Sequence, residues 1–177
     1  MELVLYEYGF DFREYLTNVI PLIVGIGFFS LSFSIIKTQK RGEEATGFLP
    51  SFFKVVGFIV GPLGVLLFLI STLGMMAEHI DYSKALETGD VCCVEGYVEN
   101  FHPMPYEGHD VEHFEIDGVC FDYTDYEIMN GYNQSSSHGG VITGNGQYLK
   151  IKYIESTYDS GENRNIILYI AEIEHIE

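Results

Sequence analysis

The chain has 177 residues and a formal net charge of −17, yet its mean hydropathy is positive, +0.12. The two are compatible only if apolar and acidic residues occupy different segments. They do: residues 78–177 hold 20 Asp and Glu against four Lys and Arg, and the first 77 hold six against five. So acidic a C-terminal half repels nucleic acid and anionic head groups. It suits cationic partners, metal ions or plain solubility.

Residues 1–15 read as an interfacial tail, in which Tyr6, Tyr8, Phe10, Phe12 and Tyr15 form an aromatic belt. Its acidic flank (Glu2, Glu7, Asp11, Glu14) is unlike the basic start of a secretory signal. Residues 16–36 carry no charge and as a helix reach ~32 Å, enough to cross a hydrocarbon core. Residues 55–77 are likewise uncharged and reach ~35 Å. Lys37, Lys40, Arg41 and Lys54 all lie in the 37–54 link. The positive-inside rule therefore puts the link in the cytoplasm and both ends of the chain outside. Gly57, Gly61 and Gly64 on the second span, and Ser30 and Ser34 on the first, are small residues at helix-packing spacing. They suit association within the hairpin or between copies. With no His or charged residue in either span, a proton relay or ion path made by this chain alone is disfavoured.

Residues 78–90 are a polar stalk ending near Gly89. From residue 91 to 177 the pattern is of strands. Val91–Phe101 alternates, with Cys92, Val94 and Val98 on one face, and Pro103 and Pro105 stop it. Val111–Ile116 and Val119–Ile128 flank Asp117-Gly118, a type I′ hairpin signal. Met129–Gly146 is a long Gly-, Ser- and Asn-rich loop. Gln147–Glu155 is a fourth strand, and Thr157–Asn165 is a polar turn. Ile166–Ile173, apolar on both faces, is a fifth strand in a central position. The expected fold is a membrane-anchored α plus all-β chain: a transmembrane hairpin, then a small five-stranded antiparallel barrel or curled sheet, OB-like or SH3-like.

The run VEGYVENFHPMPYEGHDVEHF, then GVCFDYTDYE, the 131–133 and 137–140 segments, LKIKYI and NIILYI together resemble a family of uncharacterised small bacterial membrane proteins. The resemblance covers roughly residues 91–170, plus the layout of the spans. It implies two N-terminal spans, a C-terminal β-domain and a bacterial inner membrane, and it carries no catalytic residue over.

Three groups of residues are candidates for chemistry. His102, His109 and His113, with His138 from the Gly-rich loop, offer nitrogen ligands for zinc or copper among neighbouring carboxylates. On one strand His109 and His113 would stand about 13–14 Å apart, too far for one ion; with His109 in a loop the objection weakens. Cys93 and Cys120 both point away from the expected core and could bridge if their strands were adjacent. Ser135–Ser137 beside His138 matches no nucleophile motif, and no resident cofactor is implied. The leading expectation is a non-enzymatic binding or assembly module, held in the lipid bilayer and docked on a second copy or another membrane protein through residues 101–113 and 129–146. The alternatives are a metal- or ligand-binding sensor and an immunity-type protective membrane protein.

Overall fold

A computed structural model describes residues 1–9, 12–41, 47–126, 129–157 and 163–173. The elements in order are β1 (Glu2–Glu7), α1 (Phe12–Lys40), α2 (Phe48–Thr88), β2 (Cys92–Tyr97), β3 (Glu99–His102), β4 (Glu112–Ile116), β5 (Val119–Tyr123), a 3-10 turn (Ser136–His138), β6 (Tyr148–Thr157) and β7 (Asn163–Ile173). The chain divides into two compact units, one of residues 10–80 and one of residues 1–9 with 81–177.

The first unit is the helical pair. Both helices are long and apolar enough to cross a membrane, and only 11% and 17% of their apolar windows are buried. A soluble core helix would bury most of that surface. The antiparallel helices meet along glycines. A Cβ on Gly57 would overlap Ser32 Oγ, on Gly61 it would meet the Phe29 ring, and on Gly64 it would lie 2.5 Å from the Pro21 carbonyl oxygen. Gly25 on α1 completes the seam, where a Cβ would stand 3.0 Å from the Gly61 carbonyl oxygen. The small face of α1 is therefore Gly25 and Ser32; Ser30 and Ser34 are exposed. Buried Ser32 points its hydroxyl between the carbonyls of Phe28 (3.0 Å) and Phe53 (2.8 Å), and the Asn18 amide donates to Met75 Sδ.

Helix α2 continues through the expected stalk to Thr88. It ends in a Schellman motif, with Gly89 at φ 76° and the Asp90 N–H on the Ala85 carbonyl at 3.0 Å.

The second unit departs from the expected five-stranded barrel. Its described residues form two antiparallel sheets, ordered β1-β7-β6-β2 and β3-β4-β5, and no closed barrel. Two features account for the difference. Val91–Phe101, read as one strand, divides at Val98. The Val98 N–H bonds the Gln147 carbonyl and its carbonyl accepts from Gly146, both at 2.8 Å. From Glu99, which pairs with Glu115, the chain is in the other sheet, and Asn100 at φ 52° marks the irregularity between Glu99 and His102. The second feature is β1, which pairs antiparallel with β7 from Glu2↔Ile173 to Glu7↔Tyr169. The N-terminal residues read as a membrane-interface tail thus form a strand. Tyr6 packs its ring on Tyr132 at 5.0 Å, and the Tyr8 N–H donates to Leu168 O at 2.8 Å. Phe10 and the side chains of Phe12 and Tyr15 fall outside what is described, as do residues 127–128 and 158–162.

Other expectations fit. Strand β7 is central, between β1 and β6. Asp117 and Gly118 turn at φ 49° and 77°, as a type I′ turn requires, and β4 and β5 pair from Ile116↔Val119 outward. One core serves both sheets: Phe114, Ile116, Phe121 and Tyr123 from one side, Val94, Leu149, Ile151 and Ile170 from the other. The Phe121 and Tyr153 rings meet edge to face at 5.2 Å across it.

Candidate functional site

By alternation, β4 turns residues 112, 114 and 116 to one face. Phe114 and Ile116 make that face apolar, and Glu112 is buried with them. A buried carboxylate persists only when its lone pairs are filled, and here they are. The Tyr123 hydroxyl donates to Oε1 at 2.5 Å. The Met104 N–H reaches Oε2 at 3.2 Å. The Ser136 N–H lies 3.0 and 3.1 Å from the two oxygens, and the Ser136 hydroxyl donates to Oε2 at 2.7 Å. Burial, then the bond to Glu112, pushes the Tyr123 hydroxyl pKa far up, so Tyr123 remains a donor. Glu112 thereby ties the 103–110 link and the Gly-rich loop to the sheet.

That loop is ordered around Tyr132. Its N–H bonds Ile167 O at 2.9 Å, its hydroxyl accepts the Val141 N–H at 2.7 Å, and its ring stands edge-on to Tyr123 at 5.1 Å. Gly131, at φ 78°, lets the loop lie against β7: a Cβ there would sit 2.5 Å from the Ile167 carbonyl oxygen. Ile142 is fully buried. The linker-like composition conceals a packed segment.

Asp125 Oδ2 accepts from Ser135 Oγ at 2.6 Å and lies 2.6 Å from His138 Nδ1. Ser135 Oγ is 3.1 Å from the same Nδ1. Burial raises the Asp125 pKa, but the hydrogen bonds from Ser135 and His138 outweigh it and hold the carboxyl below its ordinary value. The three residue types are those of a hydrolase triad, but the geometry is not. Such a relay needs serine and acid on opposite ring nitrogens; here both address Nδ1, and Ser135 is fully buried. The cluster braces the loop.

The four histidines do not converge. His102 and His113 face each other across β3 and β4, with rings stacked at 4.9 Å. His102 Nε2 is 3.2 Å from Asp110. The Asp110 carboxyl is held below its usual range, first by the Val111 N–H and then by His102. His109, in the link at φ 69°, packs on Tyr126 at 4.4 Å, and His138 packs on Tyr106 at 4.8 Å. Among the described residues no group of three or more His, Cys, Asp or Glu is placed to hold a metal ion. The cysteines do not converge either. Cys93 on β2 and Cys120 on β5 sit in different sheets, and both are free and exposed. Cys92, expected inside, is exposed as well. Burial and then Glu115 raise the Cys120 thiol pKa, keeping it protonated and a poor nucleophile.

Tyr106 and Tyr126 are 73% and 59% exposed, each steadied by a histidine ring, on segments fastened through Glu112 and Asp125. From sequence, recognition is expected in 101–113 and 129–146, with Glu112 only as an oxygen ligand beside the histidines; Tyr106, Tyr126 and Asp125 carry no signal of their own. Alternation alone marks Glu112, since a charge on the inward face of an otherwise apolar strand calls for a buried network. The chain matches no protein-family model, no curated protein and no solved structure.

Proposed function

We propose that this protein is a membrane-anchored, non-enzymatic recognition module. Its helical pair crosses a bacterial inner membrane, and its acidic β unit presents the Tyr106–Tyr126 face to another membrane protein or to a second copy. The observation that carries this reading is the two exposed tyrosines, each packed on a histidine ring of a hydrogen-bonded segment. Aromatic side chains fixed before binding give large contact area at little entropic cost, which is how binding hot spots are built.

Two further observations support the membrane placement. The exposed surfaces of α1 and α2 are apolar over most of their length. Strand β1, before the first helix, pairs with β7, after the second; two crossings return the chain to the side it left. Lys37, Lys40, Arg41 and Lys54 lie at or near the turn between the helices, which favours a cytoplasmic turn and an extracytoplasmic β unit.

The test is photo-crosslinking in membranes of the native host. A benzophenone side chain replacing Tyr106 in the full-length chain is expected to give one discrete product. The same group replacing Tyr97, which is 53% exposed on β2, is expected to give none. Absence of any product from position 106, with a strictly monomeric chain in mild detergent, would overturn the reading.

A further inference from the structure

At the end of the helical pair where α1 turns back into α2 lies a groove of about 460 Å³, lined by Ile36, Ser51, Lys54, Val55, Phe58 and Ile59. That volume falls within the ~300–1,000 Å³ usual for sites of small ligands. Four of its six lining residues are apolar, and Val55, Phe58 and Ile59 are at least half exposed. Its polar side chains are Lys54 and Ser51. The Lys54 ammonium gives one N–H to Gln39 Oε1 at 2.9 Å, leaving two of its three donors. No described carboxylate pairs with it. Lys37 and Lys40 occupy the last turn of α1 nearby in sequence, while Glu43 and Glu44 fall outside the described residues. In a chain of net charge −17, this is where cations gather.

We propose that the groove is a binding site for an anionic phospholipid. One acyl chain lies along Ile36, Val55, Phe58 and Ile59, and the phosphate takes the free N–H groups of Lys54 and the Ser51 hydroxyl. Charge complementarity selects this occupant. A neutral apolar guest leaves Lys54 uncompensated beside hydrocarbon. A zwitterionic lipid brings its own ammonium toward Lys37 and Lys40. A soluble anion leaves the apolar walls uncovered. Basic residues between or beside membrane helices bind anionic head groups for these reasons. The inference rests on the membrane placement proposed above.

The experiment is native mass spectrometry of the full-length chain in detergent, with phosphatidylglycerol and phosphatidylcholine of identical acyl chains. Phosphatidylglycerol is expected to stay bound under activation that strips phosphatidylcholine. Lys54→Gln is expected to weaken phosphatidylglycerol binding about fivefold, Lys54→Arg to preserve it, and Lys37→Gln, which does not line the groove, to change it less. Circular dichroism checks that each variant keeps its helices, and Ser51→Ala, the milder change, should give a smaller loss. Equal retention of the two lipids overturns the site. So does an equal loss from Lys37→Gln and Lys54→Gln, which would mean diffuse attraction, or equal binding of glycerophosphoglycerol, the head group without chains. Resistance of the chain to alkaline extraction from membranes is measured in parallel. A chain that resists extraction yet shows no lipid preference refutes the lipid site alone; a chain that is extracted refutes both.

Discussion

Among the described residues Glu112 accepts hydrogen bonds only from neutral donors: Tyr123, Met104 and Ser136. Glu112→Gln keeps the shape but points an amide N–H at groups that are themselves donors. With that donor unpaired in a buried site, the expected cost is about 3 kcal/mol, measured by denaturant unfolding in micelles. The loss should appear first as faster amide exchange across residues 129–142. Glu115→Gln, on the outward face of the same strand, should change stability by about 0.5 kcal/mol or less. Three tyrosines add a pH dependence. Burial pushes Tyr132 to about 12, and burial with the Glu2 bond pushes Tyr169 to about 12; Tyr123 goes further up. Unfolded tyrosines ionise near ~10, so above that pH the unfolded chain sheds protons that the folded one retains, and stability falls as pH rises. A tyrosinate absorbance titration should therefore show these three ionising in a late step that coincides with unfolding. At this scale the sequence was partly legible. Alternation along β4 implicates Glu112. The bond between Asp125 and Ser135 was not legible, because it depends on a loop path that composition alone reads as a linker.

Helices α1 and α2 illustrate how spacing can locate a packing face without naming its partner. Gly57, Gly61 and Gly64 could have served contacts between copies, but their Cβ positions are occupied by α1 of the same chain. The obstruction at Gly64 is backbone, the Pro21 carbonyl oxygen at 2.5 Å and Gly25 Cα at 2.9 Å, so no rotamer change relieves it. Gly64→Ala is expected to cost about 1–3 kcal/mol, read as a lower thermal midpoint in micelles. Gly74→Ala, on the same helix with nothing within 4 Å, should be neutral or stabilising by up to about 1 kcal/mol. On α1 the seam within the hairpin runs through Gly25 and Ser32, while Ser30 and Ser34 are exposed and remain candidates only for contacts between copies. In an uninterrupted apolar run many small residues have the right spacing, and only the partner helix selects among them. The strands show the complementary limit. Each run from 92 to 173 was recognisable from its alternation or its apolar run, but the division at Val98 was not. That division is fixed by hydrogen bonds to Gly146 and Gln147, almost fifty residues away in sequence, and it turns one expected sheet into two.

For the whole molecule, the decisive pairing joins the two ends of the chain. Glu2–Glu7 hydrogen-bonds with Tyr169–Ile173, Tyr169 donates its hydroxyl to Glu2 at 2.9 Å, and Lys150 reaches Glu2 at 3.4 Å. The sequence concealed this because Tyr6 and Tyr8 stand directly before a hydrophobic helix, where tyrosines ordinarily mark the membrane interface. The pairing constrains topology independently of charge. A chain whose first strand completes the sheet built by its last must have both ends on one side of any membrane it crosses. Either both long helices cross or neither does; a single crossing would tear β1 from β7. Sided labelling of intact cells tests this directly. An epitope placed before Met1 and a cysteine-directed, membrane-impermeant reagent reading Cys92, Cys93 and Cys120, all exposed, should report the same compartment. The positive charges at the turn predict that compartment to be outside. Reversing those charges, with Lys37, Lys40 and Arg41 all changed to Glu, is expected to move both reporters together or to leave both in place. Reporters found on opposite sides, in the native chain or the charge-reversed one, would show that a single helix crosses and that β1 is not part of the sheet in the membrane.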